Sequence, residues 1–525
     1  MLRNTLKIIV CALTLFAVHA CEDRLEIQSP NDLSAEQFFK TPEQAVASVD
    51  AIYNVLIIDG AFNRMTPAYN DGRSDGLSSR SPWPLLTGLS QFVVPATDGA
   101  VGWAWDAYYI MVLRANQALE NVPTVPDLDP ELQDRLLAQA YFFRAFAYFQ
   151  LTNIYDIVPL ILSVPEGQEA FYPTNDGVTK DMIWDQIQAD LDLAIASLPV
   201  SYDNVTGPDN GQLGRITKGA GLSLLGKMNL YRGEHAVAAT YFKQVIDLGV
   251  YSLAANYADL FTDVPAIEQA NPGKIFWAEF TTSTNADLNW GGNPTPNWRQ
   301  FLAVSPTYAA PGFGFFDFFP TPFLYNEMRQ ELTNDNQLDP RYHATILSYE
   351  PAEGYTTAYG QDWLTGAGYQ PGDYFIKKYT NADNGVPNEG AFTSGINYHI
   401  IRYADVLLMY AECLANTGNI AGAAQYVQQV RDRANLPDRR AEFAGYSLQQ
   451  FMDQLAHERI MELSIEGLRF QDIRRWGWLD DAAKITELQS HDADFNTYTS
   501  GRKWMPIAQG ELDLNPNLVG NSANQ

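Results

Sequence analysis

The 525 residues carry 62 Asp and Glu against 34 Lys and Arg, a net charge of −28, with 46% hydrophobic residues. That balance repels phosphate backbones and anionic lipid surfaces, so nucleic-acid binding and electrostatic membrane association are excluded, while the apolar share is enough for a real core. Six histidines and three cysteines, with no H-E-x-x-H and no C-x-x-C, argue against a transition-metal centre, and no cofactor is expected.

Residues 1–20 read as a targeting leader. Arg3 and Lys7 form a basic start, Ile8 to Val18 a short apolar run, and Ala20 a small residue suited to cleavage. The run is shorter than the roughly 20 apolar residues a membrane-spanning helix needs. Cys21 follows directly, and V-H-A-C resembles the lipobox of bacterial lipoproteins, with His19 its unusual member. Acylation of Cys21 would anchor the chain without a spanning segment. Cys11 leaves with the leader and Cys413 stands alone in a helical stretch, so no disulfide is expected.

The first helix is announced by T-P-E-Q. Thr41 caps, Pro42 suits the first turn, Gln44 completes a capping box, and Ala45, Val49, Ile52 and Leu56 follow at helical spacing. Residues 60–100 are rich in Gly, Ser, Asp and Pro and read as a long functional loop. Helices resume at 105–122, 131–161 and 179–199, and 217–249 reads as a pair joined at Arg232-Gly233. Residues 265–398 lose the helical period and read as a loop-rich, partly β region, with D-Y-F-I-K-K-Y-T (373–380) strand-like. A further pair covers 401–434, stopped by Gly418, and Ser447 with Gln450 caps another helix. The helix-turn-helix spacing resembles tetratricopeptide repeats.

Several segments in order resemble the SusD/RagB family of Bacteroidetes outer-membrane lipoproteins. They are IRYADVLLMYAECLANTG (401–418), VQQVRDRANL (427–436), HERIMELSIEGLRFQDIRRWG (457–477) and PIAQGELDLNPNL (506–518). Earlier, AYFFRAFAYFQLTNIYDIVPLI (140–161) agrees, with Asp156 where the family usually has glycine. The resemblance implies a mainly α, SusD-like fold. Four tetratricopeptide-like helix pairs would form a right-handed superhelical scaffold under a loop-rich ligand-binding side. The division it suggests is 21–264, 265–398 and 399–525. It also implies a cell-surface lipoprotein that delivers nutrient glycans to a SusC-like TonB-dependent β-barrel. Glu22 and Asp23 would then act as a surface-export signal.

The carboxylates of the 457–477 signature, Glu458, Glu462, Glu466 and Asp472, alternate with Arg459, Arg469, Arg474 and Arg475. Such mixing reads as helix-docking ion pairs rather than a hydrolytic pair, so no catalytic residue is expected. Trp105, Tyr109, Asn116 and Trp184 read as packing residues, and Trp476 and Trp478 as the close of the signature helix. Trp83, Trp290 and Trp298 lie in Gly/Pro-rich stretches, where a flat ring suits the apolar face of a sugar. Asn70, Arg73, Asp75 and Arg80 beside the first, and Asn289, Asn293, Asn297 and Arg299 beside the others, are candidates to bind hydroxyls. The acidic turns 203–211 and 383–389 could take calcium, although neither matches an EF-hand. The expected function is non-catalytic capture of an oligosaccharide or polysaccharide. Oligopeptide capture, a surface glycoside hydrolase and a protein-binding scaffold are the competing readings.

Overall fold

The computed structural model describes residues 38–281, 304–383 and 394–525. The leader, Cys21, Asn289, Trp290, Asn293, Asn297, Trp298, Arg299 and most of the 383–389 turn lie outside the described residues. The architecture is mainly helical. Helix α1 (Pro42–Tyr53) packs on α2 (Trp103–Asn121) and α3 (Pro130–Tyr155), and each later helix packs on its predecessor. These are α4 (Lys180–Ser197), α5 (Lys218–Arg232), α6 (His235–Asp247), α7 (Tyr403–Asn416) and α8 (Ile420–Arg433); α9 (Leu448–Leu463) closes on α7 and α8.

The sequence signals for these helices act as read. Thr41 and Ser447 form capping boxes with Gln44 and Gln450. Gly418 takes φ +88° after α7, a conformation that costs an L side chain energy. Gly226 lets α5 approach α6, because a Cβ there would lie 2.6 Å from the Phe242 ring. Asp156, in the family's glycine position, takes φ +73° at the end of α3 and is held by Lys180 at 2.7 Å. Trp105 and Trp184 are buried in the core, and Asn116 is buried against Arg144.

The strands are short and paired in twos. β1 (Leu77–Ser79) runs antiparallel to β3 (Phe318–Pro320), and β2 (Lys274–Ala278) to β6 (Tyr398–Arg402). β4 (Ile346–Ser348) pairs with β5 (Tyr374–Ile376). A separate small core forms around Trp363, Tyr359, Tyr369 and Phe375 within the middle region.

Residues 60–100 depart from the expected long loop. They form short helices at Met65–Asp71 and Pro84–Ser90 around β1, and most of their side chains are buried. Their polarity is spent on internal bonds, so a stretch rich in Asp, Asn, Ser and Gly can still sit inside. Pro42–Asn63 is apolar enough to resemble a membrane span, but it is mostly buried and turns extended at Ile58 (φ −81°, ψ 160°). It is a core segment.

Candidate functional site

The two loop regions singled out in the sequence meet along one seam. Its backbone frame is the β1–β3 pairing, and Thr321 ties it further by donating from Oγ1 to the Asp75 carbonyl at 2.6 Å. Ser81 Oγ bonds Asp317 Oδ1 at 2.5 Å across the same junction. Burial pushes the Asp317 carboxyl upward, against the opposing pull of Ser81 and Arg64.

Trp83 stands on this seam, half-buried between exposed Pro82 and Pro84. Its backbone N–H donates to Ser81 Oγ at 3.0 Å, and Pro84 in the first turn starts the helix that follows. Its indole lies 5.7 Å from that of Trp103, with the ring planes 44° apart. Trp103 is also half-buried and opens α2. The Arg64 guanidinium lies 4.6 Å from the Trp83 ring and 5.7 Å from the Trp103 ring. Asp59 holds that guanidinium at 2.7 Å, and both members of the pair are buried. The two indoles are thus fixed by cation–π contact from inside while each keeps some surface outside.

Three of the polar residues expected beside Trp83 are not at the surface. Asn70 is buried and donates from Nδ2 to the Thr66 carbonyl at 3.0 Å. Arg73 is buried, donates to the Arg502 carbonyl and lies 4.4 Å from the Phe470 ring. Burial and the neighbouring Arg474 push its guanidinium down to about 9. Asp75 is fully buried, bound twice by Arg469 at 2.7 Å and by His491 at 2.9 Å. Burial alone would raise its pKa, but Arg469 and His491 outweigh it and hold the carboxyl well below the usual range. The expectation that these three bind hydroxyls is therefore corrected: Asn70 bonds within its own helix, and Arg73 and Asp75 tie this segment to the C-terminal segments. Arg80 is 52% exposed, yet its guanidinium grips both oxygens of Asp494 at 2.8 and 3.0 Å.

The signature carboxylates are all buried and all taken. Glu458 accepts from Arg341 at 2.5 Å and from Arg431 at 3.1 Å. Glu462 faces Arg402 at 3.0 Å, Arg341 at 3.3 Å and also Arg433. Glu466 faces Arg402 at 2.7 Å and Lys378 at 2.9 Å. Asp472 is held by Arg459 at 2.7 Å and Arg475 at 2.8 Å. Burial penalises the Glu462 charge, but Arg433, Arg402 and Arg341 overcome it and bring its pKa to about 2. In the 203–211 turn, Asp209 is buried and bound by Arg135 at 2.9 Å. Among the described residues no group of three or more His, Cys, Asp or Glu could hold a metal ion.

Two family models match the chain. The SusD family matches residues 272–523, and a second, described as starch-binding associating with outer membrane, matches residues 25–230. The chain belongs to the SusD/RagB family. SusD-like protein P38 of Formosa agariphila is 26% identical over 534 residues, 97% of each chain. A SusD superfamily protein from Bacteroides vulgatus superposes with a TM-score of 0.76 at 23% identity, covering 93% of this chain and all of that one. A laminarin binding SusD-like protein gives a TM-score of 0.72 at 26% identity, covering 92% and 99%. These matches fix the SusD fold, and the mainly α architecture with its short strands is that fold.

Neither Trp103 nor Arg64 stands out in the sequence. Trp103 sits two residues before Trp105, whose ring is buried, and looks like part of the same packing run. Glycine at 102, immediately before it, was the available sign that Trp103 falls at a helix boundary rather than inside a helix.

Proposed function

We propose that this SusD family protein captures a carbohydrate on the Trp83–Trp103 platform without cleaving it. The carrying observation is the pair of half-buried indoles, 5.7 Å apart and fixed from beneath by Arg64. A sugar ring offers C–H groups on a face and hydroxyls at its edge, and flat aromatic surface with nearby polar groups suits it. The relative that binds laminarin supports a glycan as the ligand class. Non-catalysis is supported by the state of the signature carboxylates. Glycoside hydrolysis needs two carboxyls about 5–5.5 Å or about 6.5–9.5 Å apart across an open bond, and these are buried in ion pairs.

The reading extends to delivery. The bound glycan passes to a SusC-like TonB-dependent barrel in the outer membrane, with the protein tethered through lipid on Cys21 and facing the cell exterior. The family description of outer-membrane association supports that location. Cys21→Ala is expected to release the folded protein from membranes, and its retention in the membrane pellet would refute the anchor. Co-purification with a TonB-dependent barrel after mild detergent extraction checks the partner.

Affinity electrophoresis across a panel of glycans, beside a panel of oligopeptides, tests the ligand class. The native chain is expected to be retarded by at least one glycan, and Trp83→Ala to weaken that binding about 30-fold, the effect of truncating a Trp anchor worth about 2 kcal/mol. Binding to peptides and to no glycan would sink the carbohydrate reading.

A further inference from the structure

A second depression shares no residue with the seam. It has a volume of about 510 Å³ and lies between the α5–α6 turn, the end of α7, the start of α9 and the Trp476–Trp478 segment. That volume falls within the usual range for small-ligand pockets, about 300–1,000 Å³. Trp476 and Trp478 are both half-buried, with centroids 5.5 Å apart and planes 38° apart. Trp476 is oriented by its Nε1–H, which donates to Glu412 at 2.9 Å, and by the Arg475 guanidinium 4.9 Å from its ring.

The charges that line this groove are matched locally. Glu412 is held by Arg475 at 2.7 Å, Arg232 by Asp185 at 2.7 Å, and Asp453 has Lys484 at 3.7 Å. A charged ligand finds no strong counterion left over. A wholly apolar one would cover the amides of Asn416 and Gln449 at a desolvation cost. His235 adds an imidazole whose Nδ1 has no hydrogen-bond partner, and burial lowers its pKa, so it presents a neutral ring. Indole surface beside neutral amides and a neutral imidazole suits an uncharged ring with hydroxyls at its edge.

We infer that this groove is a second saccharide subsite, which takes a mono- or disaccharide segment of a neutral glycan independently of the Trp83–Trp103 platform. The inference rests on the carbohydrate reading above. Two sites on one chain let a single polymer engage twice, which raises retention with no new contact at either site.

The test is isothermal titration of the full chain with laminarin, soluble starch and a heptasaccharide of each. The native chain is expected to take up two molecules of one of the heptasaccharides. Trp478→Ala should take up one and bind the polymer about tenfold or more weakly. Gln449→Ala alters an exposed side chain, so it keeps the test open should loss of Trp478 disturb folding; it is expected to weaken the same site. A stoichiometry of one in the native chain, or no change in either groove variant, overturns the inference. Loss of all binding in Trp83→Ala alone removes the groove and keeps the platform. Loss of all binding in Trp478→Ala alone keeps the groove and removes the platform. Failure of the native chain to bind either glycan counts against both.

Discussion

The C-terminal signature and the seam around Trp83 are built from the same residue types put to opposite use. At the signature, Arg341, Arg402 and Arg433 surround the buried Glu462, and Asp339, Glu458 and Glu466 supply the rest of the balancing charge. At the seam, one buried Arg64–Asp59 pair serves to hold two indoles that remain partly open. The contrast shows that a cluster of Arg and Asp marks a ligand site only where something beside it stays exposed. By that measure the Arg- and Glu-rich network at the signature is scaffold, and the partly open indole pair is the candidate site.

Breaking the signature should have the largest effect. Glu462→Ala leaves three guanidiniums facing one another in a dry interior, and it is expected to cost about 3–5 kcal/mol of unfolding free energy in urea denaturation. A loss below about 1 kcal/mol would mean that the network is wetter than its geometry indicates. Asp75→Asn comes next. It strips Arg469 and His491 of their shared carboxylate, and a loss of about 3 kcal/mol is expected. Glycan affinity of the folded variant should stay as in the native chain, since Asp75 is inside. A large affinity loss with unchanged stability would restore Asp75 to the ligand site.

A smaller, pH-dependent effect sharpens the boundary between the two regions. Asp71 accepts from the Gly467 N–H at 2.7 Å and so joins the seam segment to the signature. Burial pushes its carboxyl up to about 7, against the downward pull of that N–H. An acid with a folded pKa above its unfolded value of about 3.9 favours folding most at low pH, and that contribution is lost as pH rises through about 7. Asp71→Asn removes the dependence. The variant is expected to match the native chain near pH 4 and to exceed it in stability near pH 8. Equal stability differences at both pH values would contradict the assigned shift.

Much of the scaffold was legible because its signals are local. Capping boxes at Thr41 and Ser447 and the stop at Gly418 each depend on a few neighbouring residues. The interleaved carboxylates of 457–477 also read correctly as members of ion pairs, since carboxylates alternating with arginines readily pair. Residues 70–80 were misjudged for the opposite reason. Their polarity is local, but the partners that bury it are remote: Arg469 lies 394 residues beyond Asp75, and Arg502 lies 429 beyond Arg73. Nothing in a polar stretch distinguishes solvent from a distant guanidinium. Trp83 stands out in the sequence because its flanking prolines prevent it from reading as helix core. Trp103 does not stand out because it shares its helix with Trp105, which packs in the core.

Oxidative footprinting of individual tryptophans by mass spectrometry, with and without a saturating glycan, tests the central claim most directly. Trp83 and Trp103 are expected to become protected on binding, while the buried Trp105 and Trp184 stay unreactive in both states. Saturation of the protein with glycan and no change at Trp83 or Trp103 would place the carbohydrate elsewhere and contradict the platform.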